Sequence, residues 1–281
     1  MRRRLSTFAA QLMGGPLAIA GQAHVKRLKM TALGAWCAVA VLPLFLAGAV
    51  LLSGSGAADL LPASGDSGQK WLAAVASDKR FAAGAWLLVF MGFVAMVAFV
   101  GFYFVLRQAG EVLILAPILG LAGMTLVQVS HLIPIAMAYE LAPAYLADGA
   151  DHWMLGSTAD TFAAFSQVTN AAGNALVWGV AVPLYAWAIL STRTLPRWIG
   201  WLGMIVAFFG GWLGLMSPAS SIAEGLSSIG FLTFFIFMFS AGTAILRLAR
   251  RQSHELRAPP DDVPARRSRD AGADHRSEAT G

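Results

Sequence analysis

Charge is what this chain of 281 residues has least of: Asp, Glu, Lys and Arg make up 12% of it, against 57% hydrophobic residues. A soluble globular protein carries about 25% charged residues, so a water-facing surface all round is excluded. Cysteine is nearly absent. Cys37 is the single one, which rules out a disulfide within the chain and a cysteine-rich metal or iron–sulfur site. It lies in an apolar run and reads as a small hydrophobe. Several motifs are missing too. There is no G-x-x-x-x-G-K-[ST] loop to cradle nucleotide phosphates, and no H-E-x-x-H zinc motif. There is no dinucleotide fingerprint between a strand and a helix and no G-x-S-x-G nucleophile elbow. Of the five histidines only His131 falls within an apolar run, so a haem held by two intramembrane histidines is excluded. No cofactor and no metal site is expected.

What is present is a series of long apolar runs. Six are expected to cross a membrane: about 31–53, 81–106, 112–136, 165–190, 198–216 and 223–246. Each reaches, or nearly reaches, across a hydrocarbon core of roughly 30 Å at 1.5 Å per residue. Backbone groups in lipid must bond within their own segment, which makes these runs helices. Their continuity, without alternation, excludes a β-barrel. The expected fold is therefore all-α, a polytopic bundle of six transmembrane helices spanning 31–250. Pro43, Pro117, Pro134 and Pro183 lie within or near the ends of these runs and read as packing or kinking positions.

The flanks are different. Residues 1–30 begin with Arg2, Arg3 and Arg4 and end with Lys26, Arg27 and Lys29. The stretch between resembles a signal peptide in outline, but cleavage near Ala23 would leave three cations outside. An uncleaved cytoplasmic segment, attracted to an anionic inner leaflet, is the better expectation. Residues 251–281 mix Pro, Arg, Asp, Ser and Gly with no apolar period, which predicts a disordered cytoplasmic tail. Its charges nearly balance, and no concentrated basic face points to nucleic acid.

Cations also orient the bundle. Arg107, Arg193, Arg197, Arg247, Arg250 and Arg251 lie in the second-to-third and fourth-to-fifth loops and after the last run. The third-to-fourth loop has no Lys or Arg but holds Asp148, Asp151 and Asp160. Lys70, Lys79 and Arg80 in the first-to-second loop count the other way. The balance places both termini in the cytoplasm. Within that first loop, "GQKWLAAVASDKRF" reads as a short interfacial helix.

The stretch "STRTLPRWIGWLGMIVAFFGGWLGL", Ser191–Leu215, carries the clearest local pattern. Arg193 and Arg197 suit the inner interface, Pro196 the start of a helix, and Trp198 and Trp201 the headgroup layer. Gly200, Gly203, Gly210, Gly211 and Gly214 allow close helix approach, with Gly210 and Gly214 as a small-xxx-small pair. Trp201 and Trp212, three turns apart, fall near one face. The longer string "PLYAWAILSTRTLPRWIGWLG", Pro183–Gly203, resembles the helix-hairpin signature of an uncharacterised family of bacterial integral membrane proteins with six or seven helices. The residues that carry it are Tyr185, Ser191, Leu195, Pro196, Arg197, Trp198, Gly200 and Gly203. The resemblance covers about 31–250. It implies a helical membrane fold and brings no catalytic residues with it.

Polar side chains within the runs are few and gather toward one end. Gln128 and His131 are neighbours on one helix face, followed by Glu140. Asp151, His152 and Asp160 lie in the next loop. Gln167, Asn170 and Asn174 enter with the fourth run, the two asparagines one turn apart. Glu224 opens the sixth. Such groups avoid lipid and face the bundle or water. The expected candidate site is Gln128, His131, Glu140, Asn170, Asn174 and Glu224. His131, Glu140, Asp151 and His152 have atom types that zinc accepts, but their spacing matches no zinc motif. Three functions fit. The first is a non-enzymatic accessory or envelope component of a bacterial inner membrane, with the lipid bilayer and an unknown small molecule or membrane protein as partners. The second is a small-solute or proton-coupled transporter, for which His131 would titrate. The third is an enzyme acting on a lipid or hydrophobic substrate through the outer-end polar residues.

Overall fold

Six apolar helices long enough to cross a membrane are what hydropathy demands, and six form among the described residues. The computed structural model describes residues 29–57, 67–216 and 221–255. The elements are α1 (Lys29–Gly54), then α2 (Ser67–Ser77), α3 (Arg80–Leu106), α4 (Leu115–Tyr145), α5 (His152–Leu176), α6 (Val182–Thr192), α7 (Arg197–Ile205), α8 (Leu213–Met216) and α9 (Ser221–Glu255). Among the described residues there is no strand. Two wide π-helical turns join helices end to end: Val177–Ala181 links α5 to α6, and Val206–Trp212 links α7 to α8. The expected N-terminal segment before Lys29 and the expected tail beyond Glu255 lie outside the described residues. α9 itself runs past the expected boundary at 250.

Two helices are longer than their apolar runs predict. α4 continues to Tyr145, through Pro134 and Pro143, and α5 begins at His152. At 31 residues, α4 is about 46 Å long and outreaches a hydrocarbon core of roughly 30 Å. The polar composition of 152–164 conceals this helix from a hydropathy reading. The Asp151 side chain caps it by accepting the Met154 N–H at 2.9 Å, which satisfies one of the orphan donors of a helix start.

The overhang has a core of its own. α2 lies against α4 and α5 and buries Trp71 and Leu72 completely. Trp71 meets Phe81 edge-on, with ring centroids 5.3 Å apart. The contact between α2 and α5 is close. A Cβ on Gly68 would lie 2.3 Å from the Gly156 carbonyl oxygen. The expected interfacial helix is thus a packed part of the bundle. After it, Asp78 accepts hydrogen bonds from the Arg80 backbone and guanidinium, and these hold its carboxyl below the usual range.

The second core joins α1, α3, α6, α7 and α9 around Phe99, Phe102, Tyr185, Phe237 and Met238. Tyr185, fully buried, donates its hydroxyl proton to the Phe99 carbonyl at 2.6 Å. Gly200 and Gly203 set α7 on α6: added Cβ atoms would lie 2.7 Å from Leu190 and 2.8 Å from Ala186. The next close approach runs through Gly210 and Gly211, whose positions meet Gly230 and Gly179. At Gly214, the expected small-xxx-small partner of Gly210, an added Cβ would lie 3.9 Å from Ser227 Cβ, ordinary contact and the nearest among the described residues. The π turn offsets the face that a regular helix would have carried from Gly210 to Gly214. Arg197, Trp198, Trp201 and Trp212 are exposed, as suits rings at lipid and interface.

Candidate functional site

Proline 134 organises the region around His131. It has no N–H to return to the Ser130 carbonyl four residues earlier. Ser166 on α5 supplies the missing donor, its hydroxyl bonding to Ser130 O at 2.8 Å. A defect in one helix thus ties it to the next. Ser130 itself is buried, and its Oγ lies 2.7 Å from Val127 O and 3.5 Å from Asn170 Oδ1. The shorter contact takes its single proton.

His131 is bound to its own helix. Its Nδ1 lies 2.6 Å from Val127 O, and a carbonyl only accepts, so Nδ1 carries the proton. In the neutral ring Nε2 then keeps a lone pair. Nε2 has no hydrogen-bond partner among the described residues. Counted from Leu115, His131 lies about 24 Å along the helix axis, within a hydrocarbon span and near its far edge.

A cavity of about 230 Å³ opens between α1, α2, α3, α4 and α5. Its polar lining is Ser130, His131, Ser166, Gln167 and Asn170, and its apolar wall includes Leu52, Trp71, Phe81, Leu88 and Met137. Among the described residues no charged side chain lines it. Trp71 is fully buried there, and its indole N–H has no partner among the described residues.

Of the expected site residues, His131 and Asn170 line this cavity. Gln128 does not. It lies one turn deeper, between α3 and α4, with its amide in the space left by the missing side chain of Gly92. Neither of its amide atoms has a partner among the described residues. Asn174 is half-buried and not in the lining. Glu140 is exposed, about two and a half turns and 13 Å beyond His131, hence on the opposite face. The Glu224 side chain lies outside the described residues. His152 is drawn to Tyr145, with Nε2 3.0 Å from its carbonyl and the rings 4.5 Å apart. Asp151 is engaged as the cap of α5, and the Asp160 carboxylate stands against Gly68. Among the described residues no three His, Cys, Asp or Glu side chains converge as metal ligands.

Trp71, Ser130 and Ser166 escaped the sequence reading. For Ser166 a signal existed: Pro134 leaves an orphan carbonyl that some neighbouring helix must satisfy. For Trp71 there was none beyond the apolar face of a short helix.

Six spanning helices with exposed apolar side chains on their outer faces define a polytopic helical membrane protein. Residues 27–247 match the model of the family described as domain of unknown function DUF4386, and the chain belongs to that family. No curated protein and no solved structure matches it.

Proposed function

We propose that this protein is a non-enzymatic component of a bacterial cytoplasmic membrane that binds a small uncharged molecule from the outer leaflet. The observation that carries this reading is the cavity at His131: apolar walls, a few convergent polar groups and no charge, the usual make-up of a small-molecule site. Its size sets the scale. A cavity of about 150 Å³ accepts benzene, so 230 Å³ accommodates about nine or ten non-hydrogen atoms. An enzyme would need an acid or a free nucleophile beside His131: among the described residues no lining residue is an Asp, Glu, Cys or Lys, and the hydroxyls of Ser130 and Ser166 are engaged with main-chain carbonyls. The cations Arg107, Arg193 and Arg197, at one end of the bundle, support an orientation with both termini cytoplasmic and the cavity at the outer side.

Purified full-length protein in detergent should bind 4-ethyltoluene, a probe of nine non-hydrogen atoms, saturably. Ala163→Leu or Ala85→Leu, each filling the cavity from a buried lining position, should abolish that binding in variants that still unfold cooperatively. Absence of saturable binding to the parent protein, by this hydrocarbon and by its phenol analogue alike, overturns the reading. For the orientation, Ser157→Cys in a chain lacking Cys37 should react with a membrane-impermeant thiol reagent on intact cells. Protection until permeabilisation would reverse it.

A further inference from the structure

We infer that the cavity selects a ligand bearing a neutral hydroxyl group, an alcohol or phenol, held between Trp71 and His131; this rests on the binding role proposed above. Three of the protons along the cavity wall are committed, and the amide of Asn170 also lines it. The proton of Ser130 goes to Val127 O, that of Ser166 to Ser130 O, and that of His131 Nδ1 to Val127 O. What remains is unbalanced. Among the described residues the Trp71 indole N–H is a buried donor with no acceptor, and His131 Nε2 is an acceptor with no donor. Both residues line the same space. An indole can only donate, and the Nε2 of a ring protonated at Nδ1 can only accept.

A ligand hydroxyl meets both needs with one oxygen. It accepts from Trp71 and gives its proton to His131. A ketone or ether would answer Trp71 alone, and a hydrocarbon neither. A carboxylate or an ammonium would enter a space with no lining charge to pair it, which is strongly unfavourable. An unmet buried donor carries a desolvation cost, which the ligand hydroxyl relieves.

The test uses three probes of nearly equal size on the full-length protein: 4-ethylphenol, 4-ethylanisole and 4-ethyltoluene. Affinities are read by titration calorimetry in one detergent and corrected for each probe's partition into empty micelles. In the parent protein 4-ethylphenol should bind about fivefold more tightly than 4-ethylanisole, which accepts but cannot donate; that ratio corresponds to one net hydrogen bond. The preference for phenol over toluene should fall by a similar factor in Trp71→Phe and in His131→Phe, with 4-ethyltoluene binding reporting that each variant is folded. Equal affinities for all three probes in the parent protein would overturn the hydroxyl inference and leave the apolar cavity standing. Failure of every probe to bind would overturn both. The parent comparison between phenol and anisole decides the matter even if a variant does not fold.

Discussion

Pro134 and Pro183 pose the same problem in two parts of the bundle and receive different answers. Each lacks the N–H that a helix would return to the carbonyl four residues back. At Pro134 that carbonyl belongs to Ser130, and a small hydroxyl from Ser166 reaches it at 2.8 Å. At Pro183 it belongs to Gly179, within the π turn, and the Trp212 indole reaches it at 3.3 Å from an exposed position. Around Pro183 the helices then close completely. Cβ atoms on Gly211 and Gly230 would lie 2.5 Å and 2.0 Å from backbone atoms opposite. Around Pro134 they remain apart, and 230 Å³ is left beside Trp71 and His131. A proline in a membrane helix therefore does not mark a site. Space together with polar groups left unpaired does.

The strongest way to break this contrast is to put volume into the closed region. Gly230→Leu should destabilise by about 3 kcal/mol or more through overpacking against backbone, and folded yield in detergent should collapse. Gly225→Leu, where nothing lies within 4 Å, should leave yield unchanged. Comparable yields for the two would remove the closed crossing from the account. Next in size is the donor at the open region. Ser166→Ala leaves Ser130 O without its cross-helix partner and should cost about 1–3 kcal/mol, read as a lower unfolding midpoint. In a Pro134→Ala background the helix supplies its own N–H, and the same change should cost much less. Strictly additive effects in that double-mutant cycle would show that proline and serine are not coupled.

Trp212→Phe should cost less, about 0.5–1.5 kcal/mol, because the bond is longer and the ring already exposed. A loss as large as that of Ser166→Ala would erase the distinction between the two repairs. Smallest of all is Gly214→Leu. With Ser227 Cβ at 3.9 Å from the added Cβ, the nearest atom among the described residues, it should stay within about 0.5 kcal/mol. A collapse in folded yield would restore the tight pairing with Gly210 that the sequence pattern predicts.

The candidate site was legible in kind and only partly in membership. His131 and Asn170 have the residue types and depth that the sequence singles out, and they line one cavity. Gln128 shares the depth but occupies the notch at Gly92. Asn174, one turn from Asn170, lies outside the lining, and Glu140 is exposed on the far face. A few polar residues on three helices can be grouped by depth from sequence, but each helix must also have a rotation. That rotation is set where helices touch, at glycines such as Gly92, Gly123 and Gly173, where an added Cβ would come within 3 Å of the facing helix.

The sequence by itself determined that this chain is a bundle of six membrane-length helices of the DUF4386 family. Lipid offers no hydrogen bonds, so every long apolar run must close its own backbone as a helix, and hydropathy alone reveals where. Tertiary structure decided what the local pattern left open: the polar overhang of α4 and α5, the burial of α2 with Trp71, and the choice between a sealed crossing and a cavity beside a proline. These depend on the distance between helices, which is fixed by side chains far apart in the chain meeting at close-packed density.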